Sequence, residues 1–267
     1  MKILVTGYKG FIGKRMYESL LEQNHEVDGY EYGDVYPTVR NYNWIVHIGA
    51  ISSTTERDVN KVMDQNYDFT TTLYREARHF GVNFQFSSSA SVYGLVSTFR
   101  EDAPVDPCTP YAWSKYLVER YITKLAPVTS FAQCFRYFNV YGPEGEEHKG
   151  DQASPFYKFK HQAELADRVK VFEGSEKYLR DFIQVDDVVQ IQQKFFDIPA
   201  NGIYNIGSGK AISFMDVAKK YTTKIVEVPM PEVLKSSYQQ YTCANMDKTN
   251  KVLKNPYYPY GLDTKTK

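Results

Sequence analysis

Tyr111 and Lys115 stand four residues apart in Tyr111-Ala112-Trp113-Ser114-Lys115, a spacing that puts both side chains on one face of a helix. Ser89 lies 22 residues before Tyr111, in the run Ser87-Ser88-Ser89-Ala90-Ser91-Val92-Tyr93-Gly94. The chemistry that suits this trio is hydride transfer between a carbinol carbon and a nicotinamide. The hydroxyl must lose its proton as the hydride leaves, so a base has to touch that oxygen. A tyrosine begins near pKa 10, and bringing it to about 7 takes roughly 4 kcal/mol of differential stabilisation. The Lys115 ammonium and a cationic nicotinamide in a dry cleft have the sign to supply it, with Ser89 holding the substrate oxygen. On its own, Tyr-x-x-x-Lys is common as a helix-surface pair.

Its weight comes from a second motif. Gly7-Tyr8-Lys9-Gly10-Phe11-Ile12-Gly13 follows an apolar strand pattern and opens a helical one. Glycines permit a tight turn and close backbone approach, and a helix N-terminus presents N–H groups and partial positive charge to phosphates. Gly7, Gly10, Phe11, Ile12 and Gly13 are therefore the expected contacts for a dinucleotide pyrophosphate. Glu31, 24 residues after Gly7, ends the second strand, where a carboxylate accepts ribose hydroxyls. A carboxylate there repels a 2′-phosphate, which favours NAD over NADP. Arg40 is near enough in sequence to serve a 2′-phosphate and keeps NADP open.

The elements that must position these residues read as an alternation. Strands are expected at 2–6, 26–32, 44–50, 84–89 and 131–138, with helices at 11–23, 59–80 and 110–125. A polar loop at 141–152 is followed by a helix at 154–166 and a strand at 169–172. Strand and helix patterns return over 181–198, with a core strand at 202–206, a short helix at 213–221 and a strand at 225–228. Such alternation predicts an α/β fold, a Rossmann-like doubly wound parallel sheet with a smaller substrate lobe. Residues 1–142 and 181–207 are assigned to the nucleotide-binding domain, and residues 143–180 and 208–267 to the lobe.

Composition bounds the partners. The 267 residues carry 32 Lys+Arg against 32 Asp+Glu, a balance that argues against a nucleic-acid binder. No apolar run reaches the roughly 20 residues of a membrane helix. Cys108, Cys134 and Cys243 are far apart, which predicts neither a metal site nor a disulfide framework and fits a reducing cytoplasm. Met1-Lys2 leads straight into the first strand, so no signal peptide is expected.

Taken together, the chain resembles the extended short-chain dehydrogenase/reductase family of nucleotide-sugar epimerases and dehydratases. The matching pieces are Gly7 to Gly13, His47-Ile48-Gly49-Ala50, Ser87 to Gly94, Tyr111 to Lys115, Arg136-Tyr137-Phe138-Asn139 and Arg180-Asp181-Phe182 through Asp187-Val188. Within that family, Ser52 to Glu56, Asn139 to Pro143 with His148-Lys149-Gly150, Phe172 to Glu176, and Leu234-Lys235 with Tyr238-Gln239 are similar to the ADP-heptose 6-epimerase branch. The resemblance implies epimerisation of a nucleotide-diphosphate sugar by transient oxidation and re-reduction on the opposite face. It implies cofactor contacts at Ile48, Gly49, Ala50 and Asn66, and catalytic roles for Ser89, Tyr111 and Lys115. Because the two epimers point their hydroxyls in opposite directions, Lys149 is implied as the second acid–base group. Glu144, Glu146 and Glu147 favour its charged form, so it reads as a proton donor.

Asn139, Phe172, Glu173, Gly174 and Tyr238 are implied substrate contacts, and Arg180 is implied to fork onto the diphosphate. The branch pattern is broken at Asp151 and Lys158, in substrate-contacting positions, and at Ser237, which leaves the sugar open. The heptose branch tends to use NADP, through a lysine after the second strand that is absent here. A homo-oligomer is a further implication of the resemblance. Dehydration is disfavoured because Ala90 and Ser91 follow Ser89 where elimination needs a carboxylate. A UDP-hexose 4-epimerase and a non-catalytic cofactor-binding sensor or scaffold remain as alternatives.

One more expectation concerns length. Only 12 residues separate Glu31 from Trp44, too few for a crossover helix and a further strand. The outer strand of the first half should be missing, with the second strand at the sheet edge and the adenine pocket more open.

Overall fold

The computed structural model describes residues 1–235 and 238–254, with Asp151 and Val233 described by backbone alone. In chain order the first elements are β1 (Lys2–Thr6), α1 (Phe11–Glu22), β2 (Glu26–Tyr30), β3 (Trp44–His47), α2 (Val59–Val62), α3 (Phe69–His79) and β4 (Asn83–Ser89). Next come α4 (Pro110–Lys124), β5 (Ala132–Tyr137), β6 (Asn139–Tyr141), α5 (Pro155–Ala166), β7 (Val169–Phe172) and β8 (Leu179–Gln184). The chain continues with α6 (Val185–Lys194), β9 (Gly202–Ile206), β10 (Ala211–Ser213), α7 (Phe214–Lys219), β11 (Ile225–Val228), α8 (Glu232–Lys235) and α9 (Asp247–Leu253).

Six strands form one sheet in the order β2-β1-β3-β4-β5-β9, and β1 through β5 pair in parallel. Alternate residues feed opposite faces. Leu4, Ile45, Phe84, Phe86 and Cys134 pack against Leu73 and Tyr74 of α3 and Val118 and Ile122 of α4. Ile3, Val5, Trp44 and Val46 pack against Met16 and Leu20 of α1 and Val189 of α6. A parallel sheet buried on both faces explains why these strands read as unbroken apolar runs. The expected trimming is present: β2 ends the sheet, and a single 3-10 turn, Val39–Asn41, stands between it and β3.

The chain divides into two compact units. The first comprises Met1–Val92, Pro107–Tyr137 and Val189–Tyr204, and the second Tyr93–Asp106, Phe138–Val188 and the chain from Asn205. In the second, β10-β8-β6 form one small sheet and β11-β7 another. Tyr141, Phe156, Phe159, Val169, Phe182 and Val217 make its core. Residues 93–106, 138–142, 181–188 and 205–207, assigned from sequence to the nucleotide-binding part, fall in the second unit. The reason is local pairing: β6 and β10 flank β8, and Gly94 bridges Asp106.

Candidate active site

Ser89 is the last residue of β4, a central parallel strand, and its Oγ accepts from Ser91 N–H at 3.1 Å and Ser91 Oγ at 2.9 Å. Thr109 caps α4 by accepting from Ala112 N–H at 3.1 Å, and Pro110 opens the helix, so Tyr111 falls in its first turn. Lys115, one turn on and only 3% exposed, donates from Nζ to the Ser87 carbonyl at 2.7 Å. Its ammonium lies 4.7 Å from the Phe86 ring centre and 5.8 Å from that of Tyr111. Burial pulls the Lys115 pKa down to about 7, opposed by the Glu119 carboxylate one further turn along. Burial also raises the Tyr111 phenol, against a hydrogen bond with Ser89 that lowers it. Within the chain alone, burial thus outweighs the Ser89 hydrogen bond in setting the Tyr111 phenol.

Two buried arrangements beneath this trio carry no assignment in the sequence reading. Glu119, 0% exposed, accepts from Ser88 Oγ at 2.5 Å and from Arg136 Nε and Nη2 at 3.0 and 2.7 Å. The signal was available, since Glu119 continues the four-residue spacing from Tyr111 through Lys115. Ser87 Oγ pairs with Tyr137 Oη at 2.9 Å, and Tyr137 donates to Gln192. Gln192 in turn reaches Gln85 at 3.0 Å, and Gln85 reaches Gln133 at 3.0 Å.

The glycine turn is built for close approach. Gly7 has φ +69°, and a Cβ there would stand 2.4 Å from Gly49 Cα; a Cβ at Gly13 would stand 1.9 Å from the Gly7 carbonyl oxygen. Gly7 N–H donates to Tyr30 O at 2.8 Å, and the helical ladder starts with Lys14 N–H to Gly10 O at 2.7 Å. The N–H groups of Phe11, Ile12 and Gly13 therefore lie in the first turn of α1, ahead of that ladder. Ile48, Gly49 and Ala50 follow β3, with Gly49 N–H on Thr6 O at 3.0 Å.

Asn66 sits in a π-helical turn, Met63–Asp68, and is buried. Its amide accepts from Ile51 N–H at 2.8 Å and donates to Ile51 O and Ser114 Oγ, each at 3.0 Å. It clamps the turn after β3, and its polar atoms are spent on the chain.

Thr6, Gly7, Tyr30, Glu31, Tyr32, Gly49, Ala50, Ile51, Gln65 and Phe69 line a cleft of about 320 Å³. Glu31 Oε1 accepts from Lys9 N–H at 2.7 Å, which fixes the carboxylate at the cleft wall. Bare glycines at the crowded points, a helix start and a carboxylate at the far end fit a dinucleotide.

A continuous line of contacts joins cleft and trio. Lys115 lies over Phe86, Phe86 stacks on His47 at 6.0 Å, and His47 Nδ1 bonds Thr6 Oγ1 at 2.6 Å, next to Gly7. His47 Nε2 bonds Thr70 Oγ1 at 2.7 Å, and burial aided by Lys115 depresses its pKa to about 3, so it stays neutral.

In the second unit, Phe172, Arg180 and Tyr238 come together. The Arg180 guanidinium, 7% exposed, lies 5.1 Å from the Tyr238 ring centre and 5.6 Å from that of Phe214, and donates to Leu179 O at 3.0 Å. Burial lowers its pKa, against Tyr238, and no carboxylate ion pair reaches it among the described residues. Phe172 meets Tyr238 at 6.3 Å. Gly174, at φ +75°, turns the chain beside Tyr178, and Glu173 N–H donates to Val228 O at 2.9 Å.

Lys149 Nζ pairs with Glu146 Oε2 at 3.0 Å, and the buried Glu146 also accepts from Ser154 N–H at 2.7 Å and Ser154 Oγ at 2.6 Å. Of the three carboxylates around Lys149 in sequence, Glu146 alone is buried. Asn139 is exposed on β6, paired with Phe182, and Lys158 lies in the first turn of α5. Asp151 belongs to the 3-10 segment Glu147–Gln152, with its side chain outside the described residues, as is Ser237 entirely. Asp181 pins the second unit by accepting from Ser208 and Gly209 N–H at 2.7 and 2.9 Å and Ala244 N–H at 2.9 Å.

Residues 3–207 match the model of the NAD dependent epimerase/dehydratase family. The chain belongs to that family. It is 41% identical over 215 residues to an ADP-L-glycero-D-manno-heptose-6-epimerase from Brachyspira hyodysenteriae, covering 76% of this chain and 67% of the relative. In fold it is similar to the Helicobacter pylori ADP-L-glycero-D-manno-heptose-6-epimerase (TM-score 0.83, 24% identity, 97% of this chain and 92% of that one). The Thermotoga maritima UDP-glucose 4-epimerase, solved with UDP-glucose, superposes equally well (TM-score 0.84, 24% identity, 97% and 94%). Like these family members, the chain has an α/β architecture around a mainly parallel sheet.

Proposed function

We propose that this family member epimerises a nucleotide-diphosphate sugar by transient oxidation of a carbinol, with a sugar most like that of the ADP-heptose 6-epimerases. The observation that carries the reading is the contact line from Lys115 through Phe86, His47 and Thr6 to the glycine turn, which ties Ser89, Tyr111 and Lys115 to a dinucleotide cleft. Bound nicotinamide supplies the hydride acceptor and later donor, and its positive charge favours the Tyr111 phenolate. Tyr111 takes the hydroxyl proton at the carbinol oxygen, Ser89 holds that oxygen, and Lys115 keeps Tyr111 and the Ser87 carbonyl in register. Lys149 serves the opposite face as proton donor, Arg180 takes the diphosphate against Tyr238, and Asn139, Phe172, Glu173, Gly174, Asp151 and Lys158 meet the sugar nucleotide.

Glu31 at the cleft wall supports NAD in preference to NADP. Cys108, Cys134 and Cys243 form no disulfide, which supports a cytoplasmic setting. No helix among the described residues is long and apolar enough to cross a membrane. Family resemblance is the ground for expecting a homo-oligomer.

The test incubates purified protein in D2O with ADP-D-glycero-D-manno-heptose, UDP-glucose or UDP-galactose and follows the epimer ratio by NMR. Conversion of the heptose without deuterium at the inverted carbon is expected; conversion of a UDP-hexose alone moves the assignment to a 4-epimerase. Cofactor binding without turnover of any of them overturns the enzymatic reading in favour of a sensor. In the same assay Lys149→Ala should lose about 100-fold or more of epimer formation while substrate-dependent cofactor reduction persists. Normal epimerisation by that variant removes Lys149 from the mechanism.

A further inference from the structure

The loop between β6 and α5 carries Lys149, and a single buried carboxylate gathers the whole loop. Glu146 is 0% exposed, and four donors reach its two oxygens. Oε2 accepts from Lys149 Nζ at 3.0 Å and Ser154 N–H at 2.7 Å. Oε1 accepts from Ser154 Oγ at 2.6 Å and Gly142 N–H at 3.3 Å. Gly142 directly follows β6, and Ser154 caps α5 by accepting from Tyr157 N–H at 3.3 Å. Both ends of the loop therefore close on the group that holds its lysine. The backbone repeats the tie, with Lys149 N–H on Glu146 O at 3.0 Å.

An ionised carboxylate offers about four acceptor sites, so these four donors use its capacity. Burying such a charge is tolerable only with partners of this kind, which makes the arrangement hard to loosen at one point alone. A lysine ammonium on its flexible stem ordinarily has no fixed place. Lys149 keeps 21% of its side chain exposed while its ammonium is tied to a fully buried anchor. The neighbouring carboxylates do not share this role: Glu144 is exposed, and the exposed Glu147 accepts from Gly145 N–H at 3.3 Å. A proton donor acts only when held within hydrogen-bond reach of the oxygen it serves.

We propose that Glu146 is the positioning residue of Lys149, anchoring the loop 142–154 at both ends and holding the ammonium where its proton is delivered. As hydride returns to the carbonyl carbon, the C=O electron pair moves to oxygen, and that oxygen takes a proton from Lys149 Nζ. The neutral amine left behind still has an N–H to donate to Glu146. The inference rests on the reading of Lys149 as the second acid–base group.

The test gives ADP-D-glycero-D-manno-heptose to wild type, Lys149→Ala, Glu146→Gln and the double variant, reading epimer formation and substrate-dependent cofactor reduction in one sample. A lowered folded fraction cancels in the ratio of the two rates. In Glu146→Gln an amide N–H2 replaces one acceptor oxygen, and the ratio should fall about tenfold or more. The double variant should lose no more than Lys149→Ala alone, because Glu146 acts through that lysine. Glu146→Asp keeps the charge with a shorter reach and should show the same split, smaller, so the outcome does not hang on the folding of one variant. A wild-type ratio in the Glu146 variants, or a full further loss in the double variant, overturns the inference and leaves Glu146 a role in loop stability alone. Normal epimerisation by Lys149→Ala instead overturns the reading of Lys149 itself.

Discussion

Lys115 illustrates how far a residue's type can be read from sequence and where its state cannot. The Tyr-x-x-x-Lys spacing located it, and the helix delivers it beside Tyr111, yet burial leaves its ammonium poorly stabilised, with a pKa near 7 against an ordinary 10.5. A base depressed in the fold binds fewer protons folded than unfolded between those two values, so stability rises with pH across that window. Lys115→Met should therefore stabilise the nucleotide-free protein at pH 7 by on the order of 3 kcal/mol. The gain should vanish by about pH 10.5, as read by urea midpoints at several pH values. A constant difference across that range would assign the effect to packing instead. Glu146 teaches the complementary lesson. Its burial under Ser154 and Lys149 is invisible in a polar run that also contains Glu144 and Glu147, because which carboxylate faces inward depends on how the loop folds.

At the scale of elements, α4 concentrates the chemistry by repeating one spacing: Tyr111 at the active end, Lys115 below it, Glu119 locked to Arg136 of β5 and Ser88 of β4. Glu119→Gln leaves a buried guanidinium without its counter-charge and should lower stability by about 3–5 kcal/mol in chemical denaturation. The double variant Glu119→Leu with Arg136→Met should recover much of that loss. A single variant as stable as wild type would show that the pair contributes nothing. The parallel strands and long helices were legible because burial on fixed faces writes a strong period into the sequence. The π-helical turn at Met63–Asp68 was not: within the expected helix 59–80 it shifts the apolar phase by a single residue, yet it aims Asn66 at Ile51. Strands β6 and β10, three residues each, are too short to show a period of two, and only their pairing with β8 defines them.

For the molecule as a whole, the chain's length pointed to the absent outer strand, and counting residues between Glu31 and Trp44 located it, because a crossover has a minimum length that no side-chain choice can evade. The division into units was less legible, since β8 reads as a core strand wherever it pairs. The trimming also has a consequence unrelated to nucleotides. Among the described residues no strand pairs beyond β2, so it offers backbone N–H and C=O groups to any other extended chain, the situation in which sheets add strands from other molecules. Its polar positions answer this: Glu26 and Asp28 are exposed, Lys2 reaches them at 2.6 and 3.6 Å, and Tyr42 Oη donates to Asp28 at 2.8 Å. Replacing Glu26 and Asp28 by valine should leave cofactor affinity unchanged and produce concentration-dependent light scattering; a variant as monodisperse as wild type would deny them this role. Losing a strand thus hands the new border the task of refusing one, and two carboxylates and a tyrosine hydroxyl keep the sheet from growing.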